Sequence, residues 1–396
     1  MGFDRPAASF HEHAAGEGLN VIEGNRGIFD GADPEGTHST AELAKALGAP
    51  VLLVLNATKV TRTAAAFVIG CQYLDPKLKL AGVVLNRVAN ARQETVLREA
   101  IEVSSGVPVV GVIPRARGSR LLPGRHLGLV TPEEHPRAAE VRGNLLELVD
   151  GNVDFERILK LSRQGPPLAH SRSEPVESAS GSGLRIGYVS DTAFTFYYPE
   201  NLEALERAGA RLQPISALAA ACLPRDIDAL YIGGGFPETH ATRLAANRPF
   251  LAALHEAAEA GLPIYAECGG LMLLSRAIHW EGERHEMAGV FGFEVEVRKR
   301  PQGHGYAELL VDGENAFYPI GQEIRGHEFH YSRVMAAPEP VPAVCKVTRG
   351  TGCCGKRDGA VTGNVFAAYT HVHALATPAW SAGMIVAARG YRTRRR

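Results

Sequence analysis

The sequence predicts an α/β fold in which two parallel sheets, each wound with helices, are joined by a linker. Short apolar runs alternate with helical stretches on both sides of residues 164–183, a segment rich in Pro, Ser and Gly. Continuous apolar runs are typical of strands buried on both faces of a parallel sheet, and their alternation with helices indicates winding. The chain has 396 residues, more than one ordinary core supports. We therefore predict domains over residues 1–163 and 184–396, with a flexible linker over 164–183.

Each predicted strand is a short apolar run that is closed by a polar or glycine-rich turn. In the N-terminal domain the runs are LNVIEG (19–24), PVLLVLN (50–56), LAGVVLN (80–86) and VPVVGVIP (107–114). In the C-terminal domain they are LRIGYVS (184–190), IDALYIGGG (227–235) and LPIYAECGG (262–270). From about residue 288 the pattern indicates antiparallel strands and hairpins, as in HGYAELLVDG (304–313).

Composition and charge exclude several classes of protein. The chain has 42 Lys and Arg against 43 Asp and Glu, and its pI is about 7.0, so no basic field is available for nucleic acid. No apolar run approaches the ~20 residues of a membrane span, and the N-terminal residues lack the basic and apolar regions of a signal peptide. The six cysteines do not resemble a disulfide framework. We predict a cytoplasmic protein that binds neither nucleic acid nor membrane.

Cys268 lies between an apolar run and two glycines, in LPIYAECGGLMLL (262–274). One interpretation is a buried Cys at a tight turn, because free Cys behaves as a small hydrophobe. The other is a nucleophile on a strand-to-helix elbow. Such an elbow exposes the side chain at the carboxyl end of the sheet and places it at a helix N-terminus, where a thiolate is favoured.

Two further segments favour the nucleophile. YIGGGFPE (231–238) closes a strand with a glycine run, where backbone N–H groups can approach a ligand closely, as an oxyanion hole requires. VFAAYTHVHA (365–374) places His371 and His373 just beyond another apolar strand, and a thiol nucleophile needs a base that commonly lies far away in sequence. Each feature alone could be structural, but together they favour a catalytic site.

These motifs, in this order, resemble the glutaminase domain of the cobyrinic acid a,c-diamide synthases, within the class I glutamine amidotransferases. The resemblance covers nearly all of residues 184–396 and rests on GGGFPE (233–238), AECGGLM (266–272), GHEFHYS (326–332) and YTHVH (369–373). It implies that Cys268 attacks the side-chain amide of glutamine. It further implies that His371 activates the thiol and protonates the departing ammonia, while the backbone N–H groups of Gly235 and Gly269 hold the oxyanion.

One position departs from the usual class I pattern. That triad ends in a Glu two residues after the His, and His373 stands there in this chain. The cobyrinic branch of the family also lacks this Glu. The resemblance therefore leaves the group that orients His371 unassigned, and we predict a secondary role for His373, either orienting or structural.

Two acidic residues follow the first predicted strand, in EGNRGIFDG (23–31). Glu23 at a strand's carboxyl end is placed to hold Mg²⁺ beside nucleotide phosphates, although ordinary loop residues would give the same pattern. The segment resembles the ATP-dependent domain of the diamide synthases, and AGVVLNRV (81–88) follows in the family's order. The resemblance implies that Glu23 serves Mg²⁺, that Asp30 lies near the acid to be activated, and that Asn86 and Arg87 lie where adenine is recognised.

The phosphate loop of that family is not found in this sequence. In the family it lies ahead of the segment that contains Glu23, and the pattern G-x-x-x-x-G-K-[ST] is matched nowhere in the 396 residues. GTGCCGKR (350–357) differs by one residue, but Arg357 takes the Ser/Thr position, so we interpret it as a glycine-rich hairpin. We favour a start placed too far downstream over a split gene or a degenerate enzyme. A missing interior strand would expose sheet edges, which favours aggregation or pairing with another chain. A homodimer is among the expected partners.

The sequence therefore predicts an ATP- and glutamine-dependent ligase that amidates peripheral carboxylates, the a,c acetates, of a tetrapyrrole. Mg²⁺, ATP and glutamine are the expected cofactor and cosubstrates. EGNRG (23–27) and GHGYAEL (303–309) look more like family members that act on sirohydrochlorin or sirohaem than like cobyrinic acid enzymes. The alternatives are a glutaminase or non-catalytic remnant, and a partition-type nucleotide-binding protein with an appended domain, which would not account for Cys268 or His371.

We expect the 396-residue chain by itself to bind Mg-ATP weakly. Glu23 can assist Mg²⁺, but in a phosphate loop the backbone N–H groups, the Lys and the Ser/Thr hydroxyl supply most of the recognition of the phosphates. Calorimetric titration with Mg-ATP tests this expectation. A dissociation constant on the order of micromolar or lower would contradict it.

Overall fold

The computed structural model describes residues 4–115, 124–125, 128–129, 135, 137–166, 183–335 and 342–395. The chain divides into two compact units between Arg172 and Ser173. Most of the predicted linker, residues 164–183, lies outside the described residues, so the predicted domain boundaries stay predictions. No helix of the described segments is long and apolar enough to cross a membrane. All six cysteines are described, and none forms a disulfide.

The N-terminal unit contains a three-stranded parallel sheet in the order β1-β2-β3. Its apolar strands arise from three of the predicted runs, and they are β1 (Val51–Asn56), β2 (Leu80–Val88) and β3 (Val109–Pro114). The helices of the unit are α1 (Asp4–His13), α2 (Thr40–Leu47), α3 (Thr63–Leu74), α4 (Ala91–Ser105), α5 (Ala138–Asp150) and α6 (Phe155–Ser162). A two-residue ladder joins β4 (Gly124–Arg125) to β5 (Gly128–Leu129).

Local sequence signals set the ends of helix α4, which packs on this sheet. Asn90 precedes the helix, and its side chain accepts a hydrogen bond from Gln93 N at 2.9 Å. Gly106 follows the helix in the left-handed region with a φ of 70°, a conformation that glycine adopts without a steric cost. Between these caps, Leu97 and Ile101 are fully buried against the sheet residues of the same core cluster.

The predicted strand over residues 19–24 is wrong. The segment LNVIEG forms no ladder with any described strand, and the side chain of Val21 is 82% exposed. A strand is stable only when its backbone groups pair with a neighbour and its apolar face is covered. The apolar composition of this run therefore does not lead to burial in the described structure.

The C-terminal unit is built on a ten-stranded mixed sheet. Its parallel half contains β6 (Arg185–Val189), β7 (Arg211–Ile215), β8 (Ala229–Ile232), β9 (Ile264–Glu267) and β18 (Val365–Ala368). Its antiparallel half contains β13 (Gly303–Val311), β14 (Glu323–His330), β16 (Ala343–Arg349), β17 (Arg357–Thr362) and β19 (His371–Val372). The strand order is β19-β14-β13-β16-β17-β18-β9-β8-β6-β7. This arrangement confirms the parallel α/β prediction and the change to antiparallel strands.

A smaller four-stranded sheet and helices complete the unit. The sheet has the order β11-β10-β12-β15, and its strands are β10 (Ala277–Trp280), β11 (Glu283–Glu286), β12 (Glu294–Val297) and β15 (Ser332–Val334). The helices are α7 (Pro199–Arg207), α8 (Ala241–Ala246), α9 (Arg248–Glu259), α10 (Gly269–Leu274) and α11 (Ala379–Arg395), with a 3₁₀ turn at Pro237–His240.

Two apolar clusters form the core on the two faces of the large sheet. One cluster includes Phe250 and Leu254 of α9. The other includes Trp380 of α11, which is fully buried and lies 5.1 Å from the ring of Tyr231. Helices therefore cover both faces of the parallel half, and the edge formed by the carboxyl ends of its strands is not covered by them. In sheets of this kind, ligands bind outside that edge.

The near match to a phosphate loop is a hairpin, as the sequence predicts. Strands β16 and β17 pair antiparallel with Lys346 opposite Arg357, and the segment between them contains Gly350, Gly352 and Gly355 in left-handed conformations. Because β17 follows the glycines where a phosphate loop needs a helix, this segment is not a nucleotide site.

Candidate active site

Cys268 lies on a strained turn between strand β9 and helix α10. Its backbone has a φ of 47° and a ψ of −97°, a combination that costs a non-glycine residue about 1–3 kcal/mol and that clusters at functional sites. The Cys268 N–H donates to Ala368 O at 2.7 Å, which fixes the turn to the end of β18. The glycines after it are required for space, because a Cβ at Gly270 would lie 2.5 Å from Ile232 O.

The glycine run after β8 packs directly against this turn. Gly234 exchanges two backbone hydrogen bonds with Phe196, and Gly233 N donates to the Tyr197 hydroxyl at 2.8 Å. A Cβ built on Gly269 would lie 3.1 Å from Gly235 N. The structure thus places the two predicted oxyanion donors, Gly235 and Gly269, in adjacent backbone segments.

The imidazole of His371 lies on the other side of the same glycine run. A Cβ added to Gly234 would lie 2.5 Å from His371 Cε1, so only glycine leaves room for the ring. The ring of Phe196 contacts the imidazole edge-on at 4.7 Å, and the ring of His327 stacks on it at 5.0 Å. Gly234 contacts the imidazole, and Gly234 and Gly235 contact the turn at Gly269, so both predicted catalytic residues border the same glycine run.

A buried carboxylate completes this cluster. Glu267 Oε2 lies 3.5 Å from His371 Nδ1 and accepts a hydrogen bond from the Tyr231 hydroxyl at 3.1 Å, while Oε1 accepts from Val372 N at 3.2 Å. The carboxylate and the imidazole are both buried. Burial raises the pKa of Glu267 to about 8 and lowers the pKa of His371 to about 3, because each charged form loses its hydration.

The surroundings of Cys268 favour the protonated thiol in the resting protein. Burial is the main cause that raises its pKa well above the usual range, and the nearby Glu238 carboxylate adds to the shift. The thiolate expected at a helix N-terminus is therefore not favoured in the resting protein, because desolvation of the thiolate outweighs the helix. A neutral thiol beside a neutral imidazole is still competent, since the imidazole can accept the proton when the thiol attacks.

His373 does not join the cluster around His371. Its Nε2 lies 3.6 Å from Glu200 Oε2, its Nδ1 accepts a hydrogen bond from Leu375 N at 3.2 Å, and the Tyr198 ring lies 4.6 Å away. These contacts involve α7 and the turn after β19. They are consistent with the predicted structural role.

The residues predicted for the nucleotide side lie in the N-terminal unit. Glu23 and Asp30 are exposed, and Asp30 Oδ2 accepts a hydrogen bond from Gly27 N at 3.1 Å. Asn86 and the exposed Arg87 lie at the carboxyl end of β2, where Arg87 has a φ of 65°. Within the described segments, no group of three or more His, Cys, Asp or Glu side chains could hold a metal ion. The assignment of Mg²⁺ to Glu23 stays a prediction.

The sequence patterns do not identify Glu267 as part of the site. The residue stands 104 positions before His371. No sequence pattern relates the end of one strand to a residue on another strand so far along the chain. The available signal is chemical, because Glu267 is the acidic residue of an otherwise apolar strand that is buried throughout. A carboxylate in such a strand needs a partner.

We expect Gly234→Ala to lower thiol-dependent turnover by about 10²-fold, since an imidazole misplaced by about 1 Å can cost that much. The added methyl group would displace the His371 ring and would also approach Phe196 Cβ at 3.3 Å. Steady-state kinetics measure the effect. Gly292→Ala is the matched control, because no atom lies within 4 Å of its added Cβ. Unchanged turnover in Gly234→Ala would mean that the imidazole is not needed at this position.

Comparisons with known proteins bear on both units. A family described as the CobB/CobQ-like glutamine amidotransferase domain matches residues 185–379, and an AAA domain family matches residues 8–119. A cobyrinate a,c-diamide synthase from Magnetococcus marinus is 43% identical over 389 residues, covering 96% of this chain and 82% of the relative. Synthases of the same name from Listeria monocytogenes and Archaeoglobus fulgidus are 40% and 38% identical, covering 93% of this chain in both cases and 81% and 79% of the relatives.

Proposed function

Since this chain belongs to the cobyrinate a,c-diamide synthase family of enzymes, we propose that it uses glutamine and ATP to amidate tetrapyrrole carboxylates. The observation that supports the glutamine step best is the glycine run at Gly234 and Gly235. This run contacts the Cys268 turn on one side and the His371 imidazole on the other. A thiol, a base and backbone N–H groups at one strand edge are the requirements of thiol-dependent acyl transfer.

The glutamine step begins with the neutral thiol. As Cys268 Sγ attacks the side-chain amide carbon of glutamine, the thiol proton passes to His371, and the amide oxygen becomes an oxyanion held by the Gly235 and Gly269 N–H groups. The C–N bond then breaks, and the His371 proton goes to the leaving nitrogen, which departs as ammonia. Water hydrolyses the resulting thioester to glutamate and restores the thiol. Because burial raises the pKa of Cys268, the proton leaves the thiol during the attack rather than before it.

The ammonia serves a second reaction, which we assign to the N-terminal unit because the AAA match covers residues 8–119. A carboxylate does not react with ammonia directly, so ATP has to activate it. Attack of the carboxylate on the γ-phosphorus releases ADP, and ammonia then displaces phosphate to give the amide. We propose that Glu23 supplies one carboxylate to Mg²⁺ and that ATP phosphates and water supply the other ligands, since the described segments contain no group of three or more His, Cys, Asp or Glu side chains that could hold a metal ion.

A glutaminase without the ATP step is the second candidate. It is favoured by one observation, which is that every residue assigned to the glutamine step lies within the CobB/CobQ-like glutamine amidotransferase match over residues 185–379. Both candidates predict ammonia release from glutamine. They differ in whether Mg-ATP binds and whether a carboxylate is converted to an amide.

The substrate class follows from the relatives, which are named for cobyrinate. We propose the a and c acetates of cobyrinic acid as the groups that are amidated, with sirohydrochlorin and sirohaem as alternatives because of the segments EGNRG and GHGYAEL. The free cysteines support a reducing, cytoplasmic location. A homodimer stays a proposal that light scattering can test.

The experiment supplies the chain with glutamine, Mg-ATP and each tetrapyrrole in turn. Glutamate release measures the first step, and mass spectrometry of the tetrapyrrole measures amide formation. We expect glutamate release in all cases. Because this chain by itself should bind Mg-ATP weakly, we expect diamide formation with one tetrapyrrole only when Mg-ATP is supplied far above micromolar concentration. Glutamate release with no amide from any tetrapyrrole would favour the second candidate, and no glutamate release would contradict both.

A further inference from the structure

We propose that Glu267 positions His371 for catalysis by accepting a hydrogen bond from its Nδ1, which leaves Nε2 as the nitrogen that takes the thiol proton. The inference rests on the proposed glutamine step and adds a residue to it. Glu267 touches neither thiol nor substrate in this account, so it acts through His371. It supplies the carboxylate that His373 cannot supply two residues after the base.

The contact itself is the first support. His371 Nδ1 is fully enclosed and makes no hydrogen bond within the described segments. A buried polar nitrogen without a partner is costly, and the Glu267 Oε2 atom lies 3.5 Å away. Catalytic hydrogen bonds are often long in the absence of substrate and shorten when it binds. A shift of a few tenths of an ångström brings this contact into the normal range.

The second support is the rigidity of the carboxylate. Glu267 is held by the Tyr231 hydroxyl from β8 and by Val372 N from β19. Asn201 Nδ2 in turn donates to Val372 O at 2.7 Å and contacts the Tyr231 hydroxyl at 3.4 Å. Because Val372 follows His371 directly, one carboxylate fixes both the backbone and the ring of the base.

The third support is that the residue at the position of the usual Glu makes other contacts. His373 stands where the usual triad has its Glu, and its ring is engaged by Glu200 and by Leu375 N. Because both ring nitrogens of His373 are engaged in these contacts, they are not available to bind His371 Nδ1. The orienting function therefore falls to the residue that precedes the nucleophile.

The account requires an ionised Glu267, which gives a signature in pH. The carboxylate can only accept, so it selects the Nδ1–H form and keeps Nε2 free, whereas the protonated acid can also donate its O–H to Nδ1. Burial raises the pKa of Glu267 to about 8, so the active fraction falls as the pH falls below that value and is complete above it. The other titratable groups close enough to act on the pair are Tyr197, Tyr198, Tyr231, Tyr265, Tyr318, Cys268, His327, His330 and Asp358. Burial moves the pKa of Tyr231 and of Cys268 upward and that of His327 down to about 4, away from this range.

Glu267→Gln is the test, with Asp228→Asn as the matched control. Asp228 is an equally buried carboxylate that precedes β8, and its Oδ2 accepts a hydrogen bond from Arg185 N at 2.9 Å, in a contact that takes no part in the proposed step. We expect Glu267→Gln to lower kcat for glutamine hydrolysis by about 10²-fold or more, with KM changed by less than about threefold. The rise of kcat with pH near 8 should disappear. Asp228→Asn should keep the wild-type kcat and pH profile, even if it lowers the melting temperature.

Three outcomes decide the proposal. Wild-type kcat in Glu267→Gln, or an unchanged pH profile, would overturn it while leaving Cys268 and His371 in place. If the wild-type protein does not hydrolyse glutamine, the proposed function is contradicted instead. In that event, or if Glu267→Gln does not fold, ¹⁵N NMR of the His371 ring in the wild-type protein still tests the role of Glu267. We expect the Nδ1–H form above pH 8, and an Nε2–H form there would overturn the inference.

Discussion

Cys268→Ala should abolish glutamine hydrolysis, with a loss of about 10⁴-fold or more, and should leave the fold intact. The thiol forms the covalent intermediate, and no neighbouring group can replace a missing nucleophile. The substitution removes one atom from a buried side chain, so we expect a change in the free energy of unfolding of less than about 2 kcal/mol. Glutamate release measures the activity, and thermal unfolding measures the fold.

Cys345→Ala is the matched control for this change. Cys345 is fully buried in β16, so the control also removes a buried thiol but should retain hydrolysis. If the wild-type chain amidates a tetrapyrrole with ATP, Cys268→Ala should still do so when ammonium salt is added. Free ammonia replaces the ammonia that the thiol would release from glutamine. Hydrolysis by Cys268→Ala at the parent rate would show that the nucleophile is another residue.

His371→Ala should lower the rate of glutamine hydrolysis by about 10²–10⁴-fold, which is the usual contribution of a general base. The variant loses the neutral imidazole that contacts the glycine run at Gly234. It also leaves Glu267 without its imidazole partner. Steady-state kinetics at saturating glutamine separate this loss from a change in binding.

His373→Ala is the internal comparison for the base. The contacts of His373 to Glu200 and Leu375 predict a modest effect on turnover and a small loss of stability. A loss in His373→Ala equal to or greater than that in His371→Ala would reverse the two roles.

Local patterns were sufficient to predict the strands of the N-terminal sheet and part of the C-terminal sheet. The runs that became β2, β3, β6, β8 and β9 are continuous and apolar because both of their faces are covered. The run that became β1 is equally apolar, but one of its faces is open, and Val54 is 62% exposed. LNVIEG has the same composition but forms no ladder, since pairing depends on a neighbouring strand that the local sequence does not encode. Composition predicts a tendency to form a strand, and the partner decides whether the strand forms.

Some residues of the candidate site could likewise be predicted from the sequence, and others could not. Cys268 and the glycines were predictable because a strained elbow needs residues of particular size at adjacent positions. His371 was predictable from its place at a strand end together with the family resemblance. Glu267 was not, because its role depends on the register that sets Val372 and Tyr231 around its carboxylate. The pKa of Cys268 was also not predictable, since desolvation depends on how completely the surrounding chain covers the thiol.

The central claim is that Cys268 forms a thioester with the glutamyl group of glutamine. Acid quenching during turnover, followed by mass spectrometry of the digested protein, tests the claim directly. We predict a glutamyl adduct on the peptide that contains Cys268, and we predict that the adduct is absent in Cys268→Ala. An adduct on another of the six cysteines, or labelling of another residue by a glutamine-like diazoketone while Cys268 stays unmodified, would contradict the account.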